Sequence, residues 1–243
     1  MSHSTFLHAS RRAVSDTRLR ATLRKAVTHF QNKRAQALAT LENPEAMRRR
    51  ARDAKGHTLD RMPELLRQLE AAVSAAGGVV HWAADAAEAR DIVLGLAKQY
   101  NVRRLVKGKS MISEEIDLNP ALEAAGIEAF ETDLGEYIVQ LAGERPSHII
   151  APAVHMSRED VAKLFARKLD EHATEIEELT RIARRTLREK FLTADMGITG
   201  VNMAVAETGS LVLLENEGNI RMTVTCPPVQ VAIMSLEKVV ADF

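Results

Sequence analysis

Short apolar runs alternate with amphipathic segments from Arg61 onward, and this alternation constrains the fold more than any other feature of the chain. The apolar runs have the length of strands, and the segments between them have helical periodicity. In chain order, the predicted elements are helix 63–76, strand 79–83, helix 85–100, strand 103–107, a helix near 114, a helical stretch over 121–126, strand 127–131, helix 134–142, strand 148–152, helix 157–169 and helix 174–192. Such alternation with short connections predicts an α/β fold with a three-layer, mostly parallel sheet.

Residues 194–228 combine a buried-strand pattern with turn residues and polar side chains. We expect β-structure over 203–215 and 221–224, interrupted at 207–210 and 215–219 by residues suited to chain reversal. Loops at neighbouring strand ends can face the same pocket. The pattern therefore predicts a ligand site on a sheet.

The N-terminal part has a different, helical character. Apolar residues recur at helical spacing over 15–41, within a segment that is dense in Arg and Lys. Asn43 and Pro44 then indicate an N-cap and the first position of a second, basic helix. Its arginine cluster is more typical of a solvated helical face than of a surface for nucleic acid. We therefore predict a helical arm over 1–60 and an α/β domain over 61–243.

Composition excludes several classes of function. The 33 basic and 33 acidic residues cancel, so the chain has no overall field that attracts nucleic acid or an anionic membrane. No apolar run approaches the roughly 20 residues that a membrane helix needs, and the N-terminus lacks the apolar core of a signal peptide. These features predict a cytoplasmic protein without a membrane span. Cys226 is the single cysteine and is interpreted as part of a rigid turn before two prolines.

The residues that follow strand 103–107 are suited to binding an anion. Lys107, Lys109 and Ser110 surround a turn between a strand and a helix, where backbone N–H groups point outward. The Gly-Lys-Ser sequence is not a phosphate-binding loop of the nucleotide hydrolases, because Arg103 occupies the position of its first glycine. A carboxylate or a phosphate would suit the turn, and an ordinary turn with exposed lysines is the alternative.

Two further strand ends carry candidate site residues. Asp133 and Glu136 begin helix 134–142, where they can form a capping box or face a ligand. His155 follows strand 148–152 and can act as a base or a hydrogen-bond donor near neutral pH, more plausibly than His148 or His81. No His, Cys or carboxylate cluster has the spacing of a metal site.

The segment 207–210 is the most distinctive candidate, because a carboxylate and two hydroxyl groups flank a glycine within an apolar strand pair. Its members are Glu207, Thr208, Gly209 and Ser210. They can face a ligand, or Gly209 can serve only a tight hairpin. The adjacent loop carries Asn219 and Arg221, and the arginine can clamp a carboxylate through two parallel hydrogen bonds.

Four ordered motifs resemble a known family. Residues 107–115, 131–137, 148–155 and 194–228 are similar to the LUD domain of the lactate-utilisation proteins, most closely the iron–sulfur subunit called lactate-utilisation protein B. The resemblance covers roughly residues 55–240. It implies a fold similar to that of the ribose-phosphate isomerases and the coenzyme A transferases. In the transferases a glutamate is the nucleophile, which suggests Glu207 for that role.

The resemblance also implies a function: part of a multi-subunit system that oxidises L-lactate to pyruvate, with electron transfer through iron–sulfur clusters. Those clusters belong to a cysteine-rich region that these residues do not contain. The chain ends after a strand-like run, 229–236, where a further helix is expected over 239–243. We therefore expect either a truncated chain, with clusters in the missing C-terminal region, or a short family member.

Partners follow from the same resemblance. We expect a small carboxylate such as lactate, other lactate-utilisation subunits and, as an open possibility, a second copy of the chain. No cofactor is expected on these residues themselves. The alternatives are a stand-alone transferase or isomerase that binds a carboxylate or phosphate and uses Glu207, and a metabolite-binding domain without turnover.

Overall fold

The computed structural model describes residues 3–144 and 151–243. Two compact units are distinguished by their internal contacts. The first comprises Met1–Ala46 and Ile138–Leu179, and the second comprises Met47–Tyr137 and Thr180–Phe243. The predicted boundary between an arm and an α/β domain near residue 60 stays a prediction.

Helices make up most of the described chain. They are α1 (His3–Ser15), α2 (Thr17–Ala39), α3 (Pro44–Asp60), α4 (Met62–Ala75), α5 (Ala86–Gln99), α6 (Met111–Glu115), α7 (Leu118–Ala124), α8 (Leu134–Ala142), α9 (Arg158–Leu169), α10 (Ile176–Thr193) and α11 (Asn219–Thr225). The prediction for α8 is confirmed to the residue, and those for α2, α4, α5, α9 and α10 are confirmed to within about two residues at each end. Several helices begin where a polar side chain caps them: Asp16, Asp85 and Ser157 each accept a backbone N–H of the first turn.

The strands form two sheets. They are β1 (Arg104–Lys107), β2 (Glu128–Glu131), β3 (Met196–Gly200), β4 (Met203–Val205), β5 (Ser210–Val212), β6 (Val229–Ile233) and β7 (Val239–Val240). Within the described residues, the larger sheet has the order β2–β1–β3–β6, and β1/β2, β1/β3 and β3/β6 are all parallel pairs. The smaller sheet has the order β5–β4–β7, in which β4 and β5 are antiparallel. The predicted α/β fold with a mostly parallel sheet is confirmed.

Helices cover both faces of the parallel sheet. On one face, Leu105 and Ile198 are fully buried in a core to which α5 and α7 contribute. On the other face, α11 lies so close to β3 that a Cβ atom on Gly197 would stand 2.0 Å from the carbonyl oxygen of Thr223. Lys190 of α10 lies over the ring of Phe130 on β2, 4.7 Å from its centre. The sheet is therefore the middle layer of three.

The smaller sheet packs against α4. Leu65, Leu66 and Leu69 form a helical stripe that is buried with Ala204 of β4 and Val239 of β7. This arrangement explains the i, i+1, i+4 apolar spacing of α4. It also places the short β4–β5 ribbon beside the second core of this unit.

In the other unit, a capping box starts α9. Ser157 Oγ accepts the N–H of Asp160, and Asp160 Oδ2 accepts the N–H of Ser157. Arg18 of α2 donates to Asp160 at 2.7 Å. Asn43 also caps α3 as predicted, because its Oδ1 accepts the N–H of Ala46 at 2.9 Å.

The strand predicted for 79–83 is wrong. These residues are not in a ladder in the described structure; Val79 is 77% exposed, and Trp82 donates its indole N–H to Glu70 at 3.1 Å. Strand β1 already has β2 and β3 as its two neighbours. An apolar run in the sequence therefore does not show by itself that the run pairs with a strand of the sheet.

Two predictions near the C-terminus are also wrong. Residues 221–224, expected as β-structure, lie in α11, and the helix expected over 239–243 is replaced by a short 3-10 helix (Leu236–Lys238) and β7. Packing outweighs the β-propensity of Thr223 and Val224, because α11 fits the groove left by Gly197 and fully buries Thr223. The strand predicted for 148–152 and His148 fall mainly on residues outside the described ranges.

Candidate functional site

A cleft of about 540 Å³ lies at the carboxyl ends of β1, β3 and β6. Ligands of open α/β sheets bind at this edge. The loops after these strands line it, together with the segment that joins β5 to α11. The polar and charged lining residues are Lys109, Ser110, Glu115, Asp133, Asn202, Glu215, Asn216, Glu217, Asn219, Ser235, Glu237 and Lys238.

The floor of the cleft is made by two closely packed strand ends. The N–H of Gly108 donates to the carbonyl oxygen of Ile198 at 2.8 Å, which extends the pairing of β1 and β3. A Cβ atom on Gly200 would stand 2.9 Å from Ser110 Oγ. Glycine at this position therefore lets Ser110, which is buried and caps α6 through the N–H of Ser113, come next to β3.

Lys107, predicted as a binding residue, lies beneath the cleft and does not line it. Its ammonium is 2.8 Å from Glu131 Oε1 and donates to Ser113 Oγ at 2.8 Å, and its exposed fraction is 1%. Asn119 donates to the same carboxylate oxygen at 2.8 Å. The several hydrogen bonds offset the cost of burying these two charges. The pair joins β1, β2, α6 and α7 at the edge that carries the cleft.

Lys109 lies at the cleft wall and faces a buried carboxyl group. Its Nζ is 3.8 Å from Glu136 Oε1; the lysine side chain is 34% exposed and that of Glu136 is 4% exposed. Asp133, also at the cleft, caps α8 through the N–H of Glu136 at 3.1 Å, so the predicted N-cap is confirmed. Burial, followed by the charges of Glu114 and Glu131, raises the pKa of Glu136 to about 7, although Lys109 opposes this shift.

The segment after β5 closes one side of the cleft through two polar contacts. Glu217 Oε2 accepts the N–H of Leu134, the first residue of α8, at 3.1 Å. Glu217 is exposed, but partial loss of contact with water raises its pKa above the ordinary value, and this N–H opposes the shift. Glu215 accepts the N–H of Arg221 at 2.9 Å and lies 3.2 Å from its guanidinium. The segment is thus tied to α8 and α11.

Asn219 and Arg221, predicted together, are placed differently. Asn219 is buried at the start of α11, lines the cleft and donates to Thr132 Oγ1 at 3.3 Å. The side chain of Arg221 is 79% exposed, pairs with Glu215 and does not line the cleft. The amide is therefore in position to meet a ligand there, whereas the guanidinium is engaged at the rim.

The segment 207–210 forms the turn between β4 and β5. Glu207 and Thr208 are exposed, and Thr208 Oγ1 donates to Ser210 Oγ at 2.9 Å. Gly209 has φ of +71°, and a Cβ atom there would stand 2.8 Å from the backbone of α4. Asn202 and Leu213, at the opposite end of this ribbon, line the cleft. The turn is therefore about 10 Å along the ribbon from the cleft.

His155 belongs to the other unit. Its Nε2 lies 2.7 Å from Glu144 Oε2, and a quarter of its side chain, 26%, is exposed. The structure thus brings Lys109, Ser110, Asp133 and Asn219 together at one cleft and places Glu136 directly behind Lys109. It does not bring Lys107, Arg221 or the 207–210 turn to that lining.

The charge of the cleft differs from the expected basic anion site. Its lining contains two lysines and five carboxylates, namely Lys109, Lys238, Glu115, Asp133, Glu215, Glu217 and Glu237. Only Lys109 among the predicted cations reaches it. Lys109 and Lys238 are the cations that this lining offers to an anionic ligand.

Comparison with known proteins identifies the family. A family model described as the LUD domain matches residues 66–243, well over half of the chain. The chain belongs to the LUD domain family. This result confirms the resemblance of the four sequence motifs.

Full-length relatives carry a lactate-utilisation name. Lactate utilization protein B of Bacillus cereus (strain AH820), of Bacillus thuringiensis (strain Al Hakam) and of Bacillus anthracis (strain CDC 684 / NRRL 3495) is in each case 41% identical over 228 residues. The match covers 93% of this chain and 48% of each relative, so the chain spans about half the length of the curated relatives it matches. No solved structure gives a significant match.

The residues present in this LUD domain do not fit an iron–sulfur cluster. Such a cluster takes four thiolates in its common form, and Cys226 is the one cysteine of the chain. Within residues 3–144 and 151–243, no group of three or more His, Cys, Asp and Glu side chains is arranged to hold a metal ion. In the same residues, no helix combines the length and apolar composition required to cross a membrane.

Several cleft residues of the LUD domain were not singled out from the sequence. Glu215 and Glu217 were expected only in a chain reversal, and no sequence feature singled out Asn202 or Lys238. The rule that ligands meet the carboxyl ends of parallel strands would have found Asn202, two residues after β3. The position of Lys238 depends on the 3-10 helix after β6, for which the sequence has no comparable signal.

Proposed function

We propose that this LUD domain binds a small carboxylate such as lactate in the cleft beside Lys109. In this proposal the domain is part of an iron–sulfur lactate-utilisation protein that contributes to the oxidation of L-lactate to pyruvate with electron transfer in a multi-subunit system. The observation that carries the proposal is the 41% identity, over 93% of the chain, with proteins named lactate utilization protein B.

The geometry supports a site for the acid, and the redox step needs another component. Conversion of lactate to pyruvate releases two electrons and two protons as a C–H and an O–H bond become a carbonyl group. An electron acceptor must receive the electrons. The cysteine thiolates of this chain are too few to hold an iron–sulfur cluster in its common form. The role assigned to these residues is therefore to bind and orient the acid.

Lys109 is the residue on which the binding of the acid depends. Its side chain is partly exposed at the cleft, and Ser110 and Asn219 belong to the same lining. An ammonium and neutral donors can hold a carboxylate, with the charged hydrogen bond as the stronger contribution. The apolar residues of the lining, including Met111 and Ile220, leave room for the short carbon chain.

The test is calorimetric titration with L-lactate, with pyruvate and with the uncharged analogue lactamide. We expect both acids to bind and lactamide to bind more than tenfold more weakly. Lys109→Met should weaken lactate binding by about 10- to 100-fold, the effect of losing one charge-assisted hydrogen bond. The control Lys98→Met, at an exposed lysine of α5 in the same unit, should leave it unchanged.

Equal binding of lactate and lactamide, or unchanged affinity in Lys109→Met, would contradict the proposal. The alternative of a transferase or isomerase with Glu207 as nucleophile has less support, because this side chain is exposed in a turn outside the cleft lining. Turnover that depends on Glu207 would favour that alternative.

A further inference from the structure

The pair formed by Lys109 and Glu136 links the cleft to a buried carboxyl group. The lysine side chain is 34% exposed and that of Glu136 is 4% exposed, and their closest polar atoms are 3.8 Å apart. This separation is longer than a hydrogen bond, so the ammonium is attracted to Glu136 without being fixed by it. The same ammonium is therefore able to turn to a ligand in the cleft.

Three carboxylates and one lysine on neighbouring elements influence the ionisation of Glu136. Glu114 on α6, Glu131 on β2 and Asp133 before α8 each disfavour its ionised form, and Lys109 in the β1–α6 loop favours it. Glu217, on the segment that closes the cleft, is in turn influenced by Asp133 and Lys109. Lys109 is thus the cation that supports ionisation of Glu136 from the cleft side.

A ligand carboxylate at Lys109 changes this balance in two ways. It adds a negative charge near Glu136, and it draws the ammonium toward the cleft. Both changes favour the protonated form of Glu136.

We infer that carboxylate binding at Lys109 is coupled to the uptake of one proton by Glu136. The inference deepens the proposed function and rests on it. The proton comes from solvent and forms an O–H bond on the Glu136 carboxyl group. The ligand adds one negative charge and the proton removes one, so the total charge of the site is unchanged. Glu136 acts here as a positioning residue, because it reaches the ligand only through Lys109.

The pH dependence follows from linkage. In the ligand-free protein, the pKa of Glu136 is raised to about 7 by burial and its acidic neighbours. At about pH 6 the group is already mostly protonated, so binding takes up little proton. At about pH 8 it is mostly ionised, so binding takes up nearly one proton. Affinity for lactate should therefore fall about tenfold between these two pH values.

The experiment is calorimetric titration of the whole 243-residue chain with sodium L-lactate at about pH 6 and pH 8, in two buffers of different ionisation enthalpy. For the unmodified chain, the dependence of the binding enthalpy on the buffer should show that nearly one proton is taken up at the higher pH and almost none at the lower. In Glu136→Gln, proton uptake should vanish and affinity should be equal at both pH values. Glu123→Gln, at an exposed glutamate of the same unit, should behave like the unmodified chain.

A second measurement needs no substitution at the buried position. Carbon-13 NMR of the assigned Glu136 carboxyl group should show a pKa near neutrality, which rises further when lactate is added. A carboxyl titration that does not change with lactate would overturn the inference even if Glu136→Gln does not fold.

The outcomes separate the two proposals. Lactate binding without proton uptake at pH 8, or a pH dependence that persists in Glu136→Gln, would overturn the inference and leave the proposed function standing. Absence of lactate binding at both pH values would overturn both.

Discussion

The cleft beside Lys109 and the turn at Glu207 both have the composition of a ligand site, yet their environments are opposite. Directly behind the cleft, the charged residues Lys107, Glu131 and Glu136 are buried, and burial together with neighbouring carboxylates raises the pKa of Glu136. At the turn, Glu207 and Thr208 are exposed. Polar residues within an apolar strand pair therefore indicate a site only where the fold brings several of them together at one edge of a sheet.

Loss of Lys107 should have the largest effect on stability. Lys107→Met leaves the buried carboxylate of Glu131 without its cation, and the expected loss is about 3–5 kcal/mol in the free energy of unfolding. Urea unfolding measures it. The double substitution Lys107→Met with Glu131→Leu should recover most of the loss, because both charges are then removed. A loss below about 1 kcal/mol in the single variant would show that the cleft edge does not depend on this pair.

Glu136 should make stability depend on pH. Its folded-state pKa of about 7 lies above the ordinary value of 4.5, so the folded protein binds the extra proton between these values. The stabilisation is complete below about pH 4.5 and is lost as the pH rises through 7, in total roughly 3 kcal/mol. Urea unfolding at several pH values should show this decline relative to Glu136→Gln. Parallel curves for the two proteins would contradict the raised pKa.

Gly209 and Gly218 have the same backbone conformation, so substitutions at both can distinguish the cost of backbone strain from the cost of crowding at the turn. Gly209 and Gly218 have φ of +71° and +76°, but a Cβ atom would meet the backbone of α4 only at Gly209. We expect Gly218→Ala to cost about 1–2 kcal/mol and Gly209→Ala to cost about 1–3 kcal/mol more. Thermal or urea unfolding compares them. Equal costs would mean that the turn does not pack closely on α4.

Glu207 should have the smallest effect. Because its side chain is exposed, Glu207→Gln should change the free energy of unfolding by less than about 0.5 kcal/mol. It should also leave lactate affinity unchanged, in contrast to Lys109→Met. A substantial loss of lactate affinity in Glu207→Gln would reverse the comparison between the turn and the cleft.

Local patterns predicted much of the fold. Helix α8 was located by periodicity and by the capping residue Asp133, the strands β1 and β2 by their apolar runs between helices, and β6 by its apolar run. Errors arose where tertiary packing decides. Residues 79–83 do not pair with a strand of the sheet. Residues 219–225 are helical because Gly197 leaves room for α11 to pack against β3.

The lining of the candidate cleft was predicted only in part, for a related reason. Lys109, Ser110 and Asp133 were correctly expected at carboxyl ends of strands, and the structure places them at one cleft. The alternation of side chains along β1 puts Lys107 on the face of Leu105, where Glu131 pairs with it beneath the cleft. That pairing depends on the lateral register of β1 and β2, which a single sequence does not reveal.

The central claim, that the cleft beside Lys109 binds a small carboxylate, is tested most directly by NMR of backbone amides during titration with L-lactate. We predict saturable shifts centred on Gly108, Lys109, Ser110, Gly200 and Asn219, with the 207–210 turn unaffected. These shifts should be lost in Lys109→Met and kept in Lys98→Met. Shifts centred on the 207–210 turn, or no saturable shifts at the cleft, would contradict the account.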